Sequence, residues 1–161
     1  DIQEAGQQLL AEHGYLQYEV SAYARAGHQA RHNLNYWSFG DFIGIGAGAH
    51  GKLSSPNGQI VRTWKTRLPK DYLAPDKAFL AGQRVLTSEE MPFEFLMNVL
   101  RRNDGCSSAL FTQRTGLPLS VLSSARGEAE ARGLLLRDPS RLAASREGQL
   151  FLNDLLQHFL A

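Results

Sequence analysis

The sequence predicts a mixed α/β fold, with an α/β segment over residues 1–75 and a small, mostly helical, winged-helix-like domain over residues 76–161. Two observations predict this division. In the first half, helical and strand patterns alternate, as is typical of an α/β domain with parallel strands. In the second half, two helices joined by a turn precede two short strands, which is the order of a winged helix. Pro69 and Pro75 mark the change, and we place the boundary near residues 72–78.

The first elements are predicted from the spacing of apolar residues. Helical spacing predicts a helix over residues 2–13, and alternation then predicts one strand over residues 15–24. Glu19 and Tyr23 would lie on the polar face of that strand. Such a face would meet solvent on an open sheet, but it would line a ligand chamber in a closed barrel. The residues alone leave both alternatives open.

The stretch HNLNYW predicts one or two helical turns ending at Gly40. His32 and Tyr36 are four residues apart, as are Asn33 and Trp37, so each pair would share a helix face. We expect Trp37 and Leu34 to anchor the segment to a core, and Asn33 to cap the helix or to bridge to the backbone. Taken alone, a histidine is more often a structural hydrogen-bonding group than a metal ligand.

The glycine-rich stretch DFIGIGAGAHG predicts a second strand over residues 41–51. Its two faces would carry alternate residues: Gly44, Gly46, Gly48 and His50 on one, and Ile43, Ile45, Ala47 and Ala49 on the other, against covering helices. A strand without side chains on one face loses packing, and something else must lie against it. That neighbour is either a ligand or a bulky side chain of the protein.

The same stretch contains G-x-G-x-x-G, the spacing of a dinucleotide-binding loop, at Gly46, Gly48 and Gly51. That loop must lie between a strand and a helix whose N-terminus holds the pyrophosphate. Here a hairpin is predicted next, because Asn57 and Gly58 favour a tight turn between two strands. The sequence therefore argues against a dinucleotide site.

The second half is predicted to be mostly helical. Helices are expected over residues 76–86 and 88–103, followed by a short helix, a turn at 116–118 and a longer helix. A strand, a turn at 138–139, a second strand and a closing helix complete the chain.

Composition bounds the function only broadly. The 161 residues are 43% hydrophobic and 20% charged with a net charge of +1, which is typical of a soluble globular protein without electrostatic attraction to nucleic acid or membrane. No apolar run approaches the roughly 18 residues of a transmembrane helix, and we expect a cytoplasmic protein. The chain starts at Asp1 without a methionine, and we expect a fragment or a processed product.

Cys106 is the only cysteine, so no disulfide can form within the chain and no cysteine cluster can hold zinc or iron–sulfur. We expect it to be a partly buried structural residue.

The stretch YEVSAYARAGHQARHNLNYWSFGDFIGIGAGAHGKL resembles the oxygen-independent coproporphyrinogen III oxidase-like radical SAM proteins, and among them the haem chaperone (HemW-type) branch. The pattern HNxxYW followed by GxGxGAHG carries the resemblance. It is dense over residues 10–72 and looser beyond them. It implies that the chain holds the last strands of a partial (β/α) radical SAM barrel followed by the family's C-terminal domain.

The resemblance also implies cofactors and partners. In the family, a CxxxCxxC motif on earlier strands holds a [4Fe-4S] cluster that binds S-adenosylmethionine. This chain lacks those cysteines, so we expect it to be inactive as an enzyme alone. Oxidase relatives decarboxylate coproporphyrinogen III without oxygen, whereas the chaperone branch binds haem and delivers it to respiratory haem proteins. The implied ligand is a tetrapyrrole, with haem as the cofactor this chain itself could bind.

By the same resemblance, His32 corresponds to a histidine proposed as a haem contact, with its imidazole available to the iron. Asn33, Tyr36 and Trp37 would surround the ligand. One departure is that Ala26 and Ala30 stand where many relatives have the proline and cysteine of Pro-Gly-x-x-Cys.

The resemblance further assigns residues to the chamber that holds S-adenosylmethionine or another ligand. The glycine face, with Gly46 and Gly48, would border that chamber, and His50 would lie near its mouth. Glu19 and Tyr23 would line it from the preceding strand.

Two other hypotheses are weaker. The second half could be a nucleic-acid-binding or protein-interaction module, but acidic residues interrupt its arginines, and no nucleic-acid partner is expected. A hydrolase triad could be drawn from Ser21, His28, His32 and Asp41, but no nucleophile elbow supports it.

Overall fold

In a computed structural model, which describes residues 2–160, the chain begins with the predicted helix α1 (Ile2–Glu12). An antiparallel hairpin of β1 (Leu16–Glu19) and β2 (Ala22–Ala24) follows. The prediction of one strand over this stretch is therefore wrong. The chain reverses at Ser21, whose backbone N–H and hydroxyl both donate hydrogen bonds to the Glu19 carboxylate, at 2.9 and 3.0 Å.

The helix predicted from HNLNYW is present as α2 (Arg31–Trp37). The glycine-rich strand predicted after it is wrong. Phe42 forms a bridge through two backbone hydrogen bonds of 2.9 Å with Lys52, and His50 and Gly51 begin the next strand. Between them the chain turns over Gly46 and Gly48. These glycines have φ angles of +106° and +70°, which other residues rarely adopt. The predicted glycine face of a strand does not exist.

The predicted hairpin is confirmed as β3 (His50–Ser54) and β4 (Ile60–Lys65). After the short helix α3 (Pro69–Tyr72), β5 (Leu80–Val85) pairs with the other edge of β4, so the sheet order is β3-β4-β5. The helix predicted over residues 76–86 is therefore wrong. Every strand pair within residues 2–160 is antiparallel, and the expectation of parallel strands is wrong as well.

From Met91 onward the second half is mostly helical, as predicted. Its helices are α4 (Met91–Val99), α5 (Ser108–Thr115), a 3-10 turn (Leu119–Leu122), α6 (Ser123–Ala131), α7 (Arg146–Leu150) and α8 (Leu152–Gln157).

The two predicted strands near the end of the chain are much shorter than expected. The first is reduced to a single bridge between Leu135 and Ala144. The second is β7 (Arg141–Leu142), which pairs instead with β6 (Cys106–Ser107). The predicted closing helix is divided into α7 and α8 at Phe151, where φ is −113° and ψ is 44°.

The core is centred on α4, where Phe95 has no exposed surface. Its ring packs edge-on against Phe39 and Phe111, with 5.2 Å between centroids in each case. Phe39 and Ile60, from the first half, belong to the same buried cluster as the helices of the second. The mixed α/β class is thus confirmed. The boundary near residues 72–78 stays a prediction, although β5 lies beyond it and completes the sheet of the first half.

In the part of the chain that the structure describes, no helix is both long and apolar enough to cross a bilayer.

Candidate functional site

An open cleft of about 510 Å³ lies where α2, the glycine-rich loop and β4 meet. The residues lining it come from both sequence patterns that stood out, and they are His32, Tyr36, Trp37, Phe42, Ile43, Gly44, Ile45, Ala49, His50, Arg62 and Asn98. The two histidines singled out in the sequence, His32 and His50, thus lie on one cleft although 18 positions separate them in the sequence.

Aromatic rings form one wall of the cleft. The ring of Tyr36 lies 5.2 Å from His32, 4.3 Å from Trp37 and 5.7 Å from Phe42, measured between centroids. Burial, together with the nearby Glu19 carboxylate, raises the pKa of the Tyr36 hydroxyl above its ordinary value of 10.0. The hydroxyl therefore stays protonated at neutral pH and can donate a hydrogen bond.

Trp37 is held in place by Arg101, a residue of the second half of the chain. The Arg101 guanidinium stacks 4.5 Å from its ring and also pairs with the Glu19 carboxylate at 3.3 Å. Glu19 is only 2% exposed, so its contacts are with the protein itself. This chain of contacts holds α2 against the hairpin and the end of α4.

The expected cap at Asn33 is wrong, because α2 begins after Ala30 without a side-chain cap and Asn33 lies inside the helix. Asn35 does the bridging instead. Its side-chain amide donates to the Asp41 carbonyl at 2.7 Å, and its own carbonyl accepts from Gly40 N–H at 2.8 Å. A side chain at Gly40 would collide with Asn35, since a Cβ there would lie 2.2 Å from Oδ1.

A buried ion pair that the sequence analysis missed secures the start of the loop. The Lys52 side chain is 2% exposed, and its Nζ donates to Asp41 Oδ1 at 2.8 Å. The Ser54 backbone N–H and hydroxyl also donate to Asp41, both at 2.9 Å. Burial lowers the pKa of Lys52. Burial raises the pKa of Asp41, but the bonds from Lys52 and Ser54 outweigh it and the net pKa lies below 3.8.

The loop glycines contact other parts of the chain and do not form the single glycine face that was expected. Gly44 lines the cleft and touches the backbone of His50, since a Cβ there would lie 2.2 Å from the His50 carbonyl oxygen. Gly46 N–H donates to the Tyr72 hydroxyl at 3.2 Å, and Gly48 N–H donates to the Thr66 carbonyl at 2.9 Å. These two expected chamber residues are outside the cleft lining and are engaged by the chain itself.

The apolar side chains of the loop are exposed. Ile43 and Ile45 are 71% and 86% exposed, so the expectation that helices cover them is wrong for residues 2–160. Tyr23 lies apart from the cleft, in a separate depression shared with Tyr15 and His28.

The hydrolase hypothesis is not supported by the contacts. Asp41 accepts from Lys52 and Ser54, and Ser21 is bonded to Glu19 and Arg101. No hydrogen bond joins a histidine to either of them within the described chain.

No cluster of three or more histidine, cysteine, aspartate or glutamate side chains among residues 2–160 could hold a metal ion. Cys106 is buried, and burial raises the pKa of its thiol to about 12, so it stays protonated and structural.

Comparisons with known proteins match both the second half of the chain and its whole length. The family described as the HemN C-terminal domain matches residues 86–151. Heme chaperone HemW of Escherichia coli (strain K12) is 47% identical over 161 residues, covering 100% of this chain and 42% of that protein. Residues 86–151 match the HemN C-terminal domain family, and the whole chain is similar to HemW.

More distant HemN/HemW relatives match over nearly the same length. Heme chaperone HemW of Bacillus subtilis (strain 168) is 33% identical, covering 92% of this chain and 39% of that protein. Radical S-adenosyl methionine domain-containing protein 1, mitochondrial, of Bos taurus is 34% identical, covering 100% and 39%. The chain thus spans about two-fifths of the length of these curated relatives.

The HemN fold is confirmed by a solved structure. The coproporphyrinogen III oxidase (HemN) of Escherichia coli, a radical SAM enzyme, matches with a TM-score of 0.67. The match covers 98% of this chain and 40% of that one at 14% identity, which shows a shared fold.

Proposed function

We propose that this chain is the tetrapyrrole-binding C-terminal part of a haem chaperone, and that the cleft between α2 and the glycine-rich loop receives the haem. The observation that carries the proposal is that His32 and His50 line one cleft with an aromatic wall. A flat apolar macrocycle can pack against such a wall, and a neutral imidazole is a common axial ligand of haem iron.

The residues of the cleft fit haem as a cargo. Neither His32 nor His50 uses a ring nitrogen in a hydrogen bond to another described residue, so each imidazole has a nitrogen available for iron. Haem brings four ring nitrogens of its own, so one or two protein ligands are enough. Haem binding therefore does not need a group of three or more metal-binding side chains, and residues 2–160 contain no such group.

The residues do not fit an iron–sulfur cluster. Such clusters are usually held by three or four cysteine thiolates, whereas the chain has one cysteine, which is buried. In the proposed intact protein, the cluster and S-adenosylmethionine would be held elsewhere. The roles of Gly46, Gly48, Glu19 and Tyr23 near S-adenosylmethionine remain proposals. We also propose that Asn33 contacts haem at the periphery of the cleft.

The proposal extends to the second half of the chain and to partners. We propose that residues 76–161 form a winged-helix-like module that packs against the cleft or docks a partner, rather than reading nucleic acid. Its arginines are largely engaged: Arg126 binds Glu130 at 2.7 Å and Arg102 binds Asp104 at 2.9 Å. The same proposal places this protein in the cytoplasm and has it deliver haem to respiratory haem proteins.

Haem titration followed by the Soret band tests the cleft. We expect His32→Ala to weaken haem binding at least about tenfold and to shift the Soret band. Loss of a residue that only hydrogen-bonds to a metal ligand already lowers metal affinity by about tenfold or more. His50→Ala tests the second imidazole in the same way. Circular dichroism should be unchanged, since both side chains are exposed.

His28→Ala is the matched control, because His28 is also exposed but lies outside the cleft. It should bind haem like the parent chain. If His32→Ala and His50→Ala both bind haem with the parent's affinity and spectrum, the cleft is not the haem site.

A further inference from the structure

Arg62 lies in the middle of a row of three cations on the central sheet. In the register of the strands it is directly opposite Lys52 on one side and Arg84 on the other. Like charges directly opposite one another destabilise a sheet. The arrangement therefore needs compensation from anions, and the three cations differ in how much they receive.

The outer two cations are compensated at short distance. Lys52 is bonded to Asp41 at 2.8 Å, and Arg84 is bonded to Glu90 at 2.5 Å. Among residues 2–160, Glu94 is the only anion paired with Arg62, and the 3.9 Å between Arg62 Nε and Glu94 Oε2 is too long for a hydrogen bond.

The Glu94 carboxylate cannot satisfy Arg62 because it is shared. Glu94 Oε1 lies 3.6 Å from Arg84, and Glu94 Oε2 is buried without a hydrogen-bond partner. The Arg62 guanidinium, with five N–H donors, donates no hydrogen bond to any residue between 2 and 160.

The Arg62 side chain faces the cleft. It lines the cleft beside Phe42, with its guanidinium carbon 5.9 Å from the centre of that ring. It is 18% exposed, and it is the only permanently charged residue among those that line the cleft. An under-compensated cation with unused donors therefore borders a site otherwise built from apolar, aromatic, imidazole and amide groups.

We propose that Arg62 is the carboxylate-binding residue of this cleft. It would orient the ligand by pairing with a carboxylate group on the edge of the ligand's ring. The inference rests on the proposed function. Haem carries two propionate carboxylates on one edge of the ring, and a guanidinium can bind a carboxylate through two parallel hydrogen bonds. With the propionate held at β4, the ring extends across the aromatic wall toward His32.

The competing explanation is that Arg62 only neutralises Glu94. In that case its loss would affect folding stability, but it would not change how the protein distinguishes ligands with and without carboxylates. The experiment therefore compares haem with haem dimethyl ester, in which both propionates are neutral and the ring and iron are unchanged.

We expect the parent chain to bind haem about tenfold more tightly than the dimethyl ester, which is the lower range for a hydrogen bond to a charged group. In Arg62→Gln that preference should fall to about one. Arg62→Lys should keep part of the preference for haem, because the positive charge remains but the two parallel N–H donors of the guanidinium are lost. Arg84→Gln removes the same charge from the same row outside the cleft, and it should keep the preference of the parent.

The outcomes separate the two proposals. Tight haem binding by the parent without preference over the ester overturns the role of Arg62 and leaves the proposed function intact. A preference that survives in Arg62→Gln does the same. If the parent chain binds neither ligand, the proposed function fails and this inference fails with it.

Discussion

Replacement of Asp41 by asparagine should destabilise the protein by about 3 kcal/mol, because it leaves the buried Lys52 ammonium without a counter-charge. The estimate is at the lower end for broken buried pairs, since the Asp41 side chain is 42% exposed. Chemical denaturation at neutral pH measures this loss. The cleft should also lose its shape, because the pair joins the start of the glycine-rich loop to β3.

Two controls make this result specific. Lys52→Met should cost less than Asp41→Asn, because the remaining partner is then a half-exposed carboxylate that water can solvate. Asp71→Asn removes an ion pair with Lys77 at a similar distance, 2.7 Å. The Lys77 side chain left behind is 50% exposed and can be solvated, so this loss should cost no more than about 1 kcal/mol. An equal loss for Asp41→Asn and Asp71→Asn would contradict the importance of burial.

The Asp41 contribution should also depend on pH. Its folded-state pKa lies below the ordinary 3.8, so its ionised form contributes stability above pH 3.8 and loses it as the pH falls through the folded pKa. The difference in unfolding free energy between the parent and Asp41→Asn should therefore shrink in acid.

Gly44→Ala should cost about 1–3 kcal/mol, which is the usual range for forcing extra atoms into a packed site. A Cβ at this position would lie 2.2 Å from the His50 carbonyl oxygen, and the obstacle is backbone, which cannot rotate away. The loop must then move off β3, carrying Ile43 and Ile45 with it. Thermal unfolding measures the loss, and haem affinity should fall in the same variant.

Gly127→Ala is the matched control for this substitution. Gly127 lies inside α6 with nothing within 4 Å of a new Cβ, so alanine should stabilise the helix by up to about 1 kcal/mol. Stability losses of the same size in both variants would show that the contact with His50 is irrelevant.

Of the two elements that border the cleft, the helix could be predicted from the sequence, whereas the shape of the glycine-rich loop could not. HNLNYW formed the expected helix, and His32 and His50 line the same cleft. Alternation suggested a strand through Gly46 and Gly48, yet glycine also permits positive φ angles, and here the chain turns at both. Period-two spacing cannot distinguish a bare strand from a glycine turn.

Other errors came from partners that are distant in the sequence. The reversal at Ser21 is fixed by Glu19, whose carboxylate accepts a hydrogen bond from Arg101 in the second half of the chain. The strand β5 lies in a stretch predicted to be helical, and it is a strand because it pairs with the open edge of β4. The spacing of neighbouring residues gives no information about a distant partner such as Arg101 or about the open edge of β4.

Phe39 follows α2 almost directly, and its ring packs against Phe95 in the centre of α4. The helix that supplies part of the cleft wall is therefore joined to the deepest part of the core, which also contains Leu155 of α8. A ligand that holds α2 in place adds its binding free energy to the cost of opening that core. Backbone amides of α8, outside the cleft lining, should then exchange their hydrogens with solvent more slowly when haem is bound.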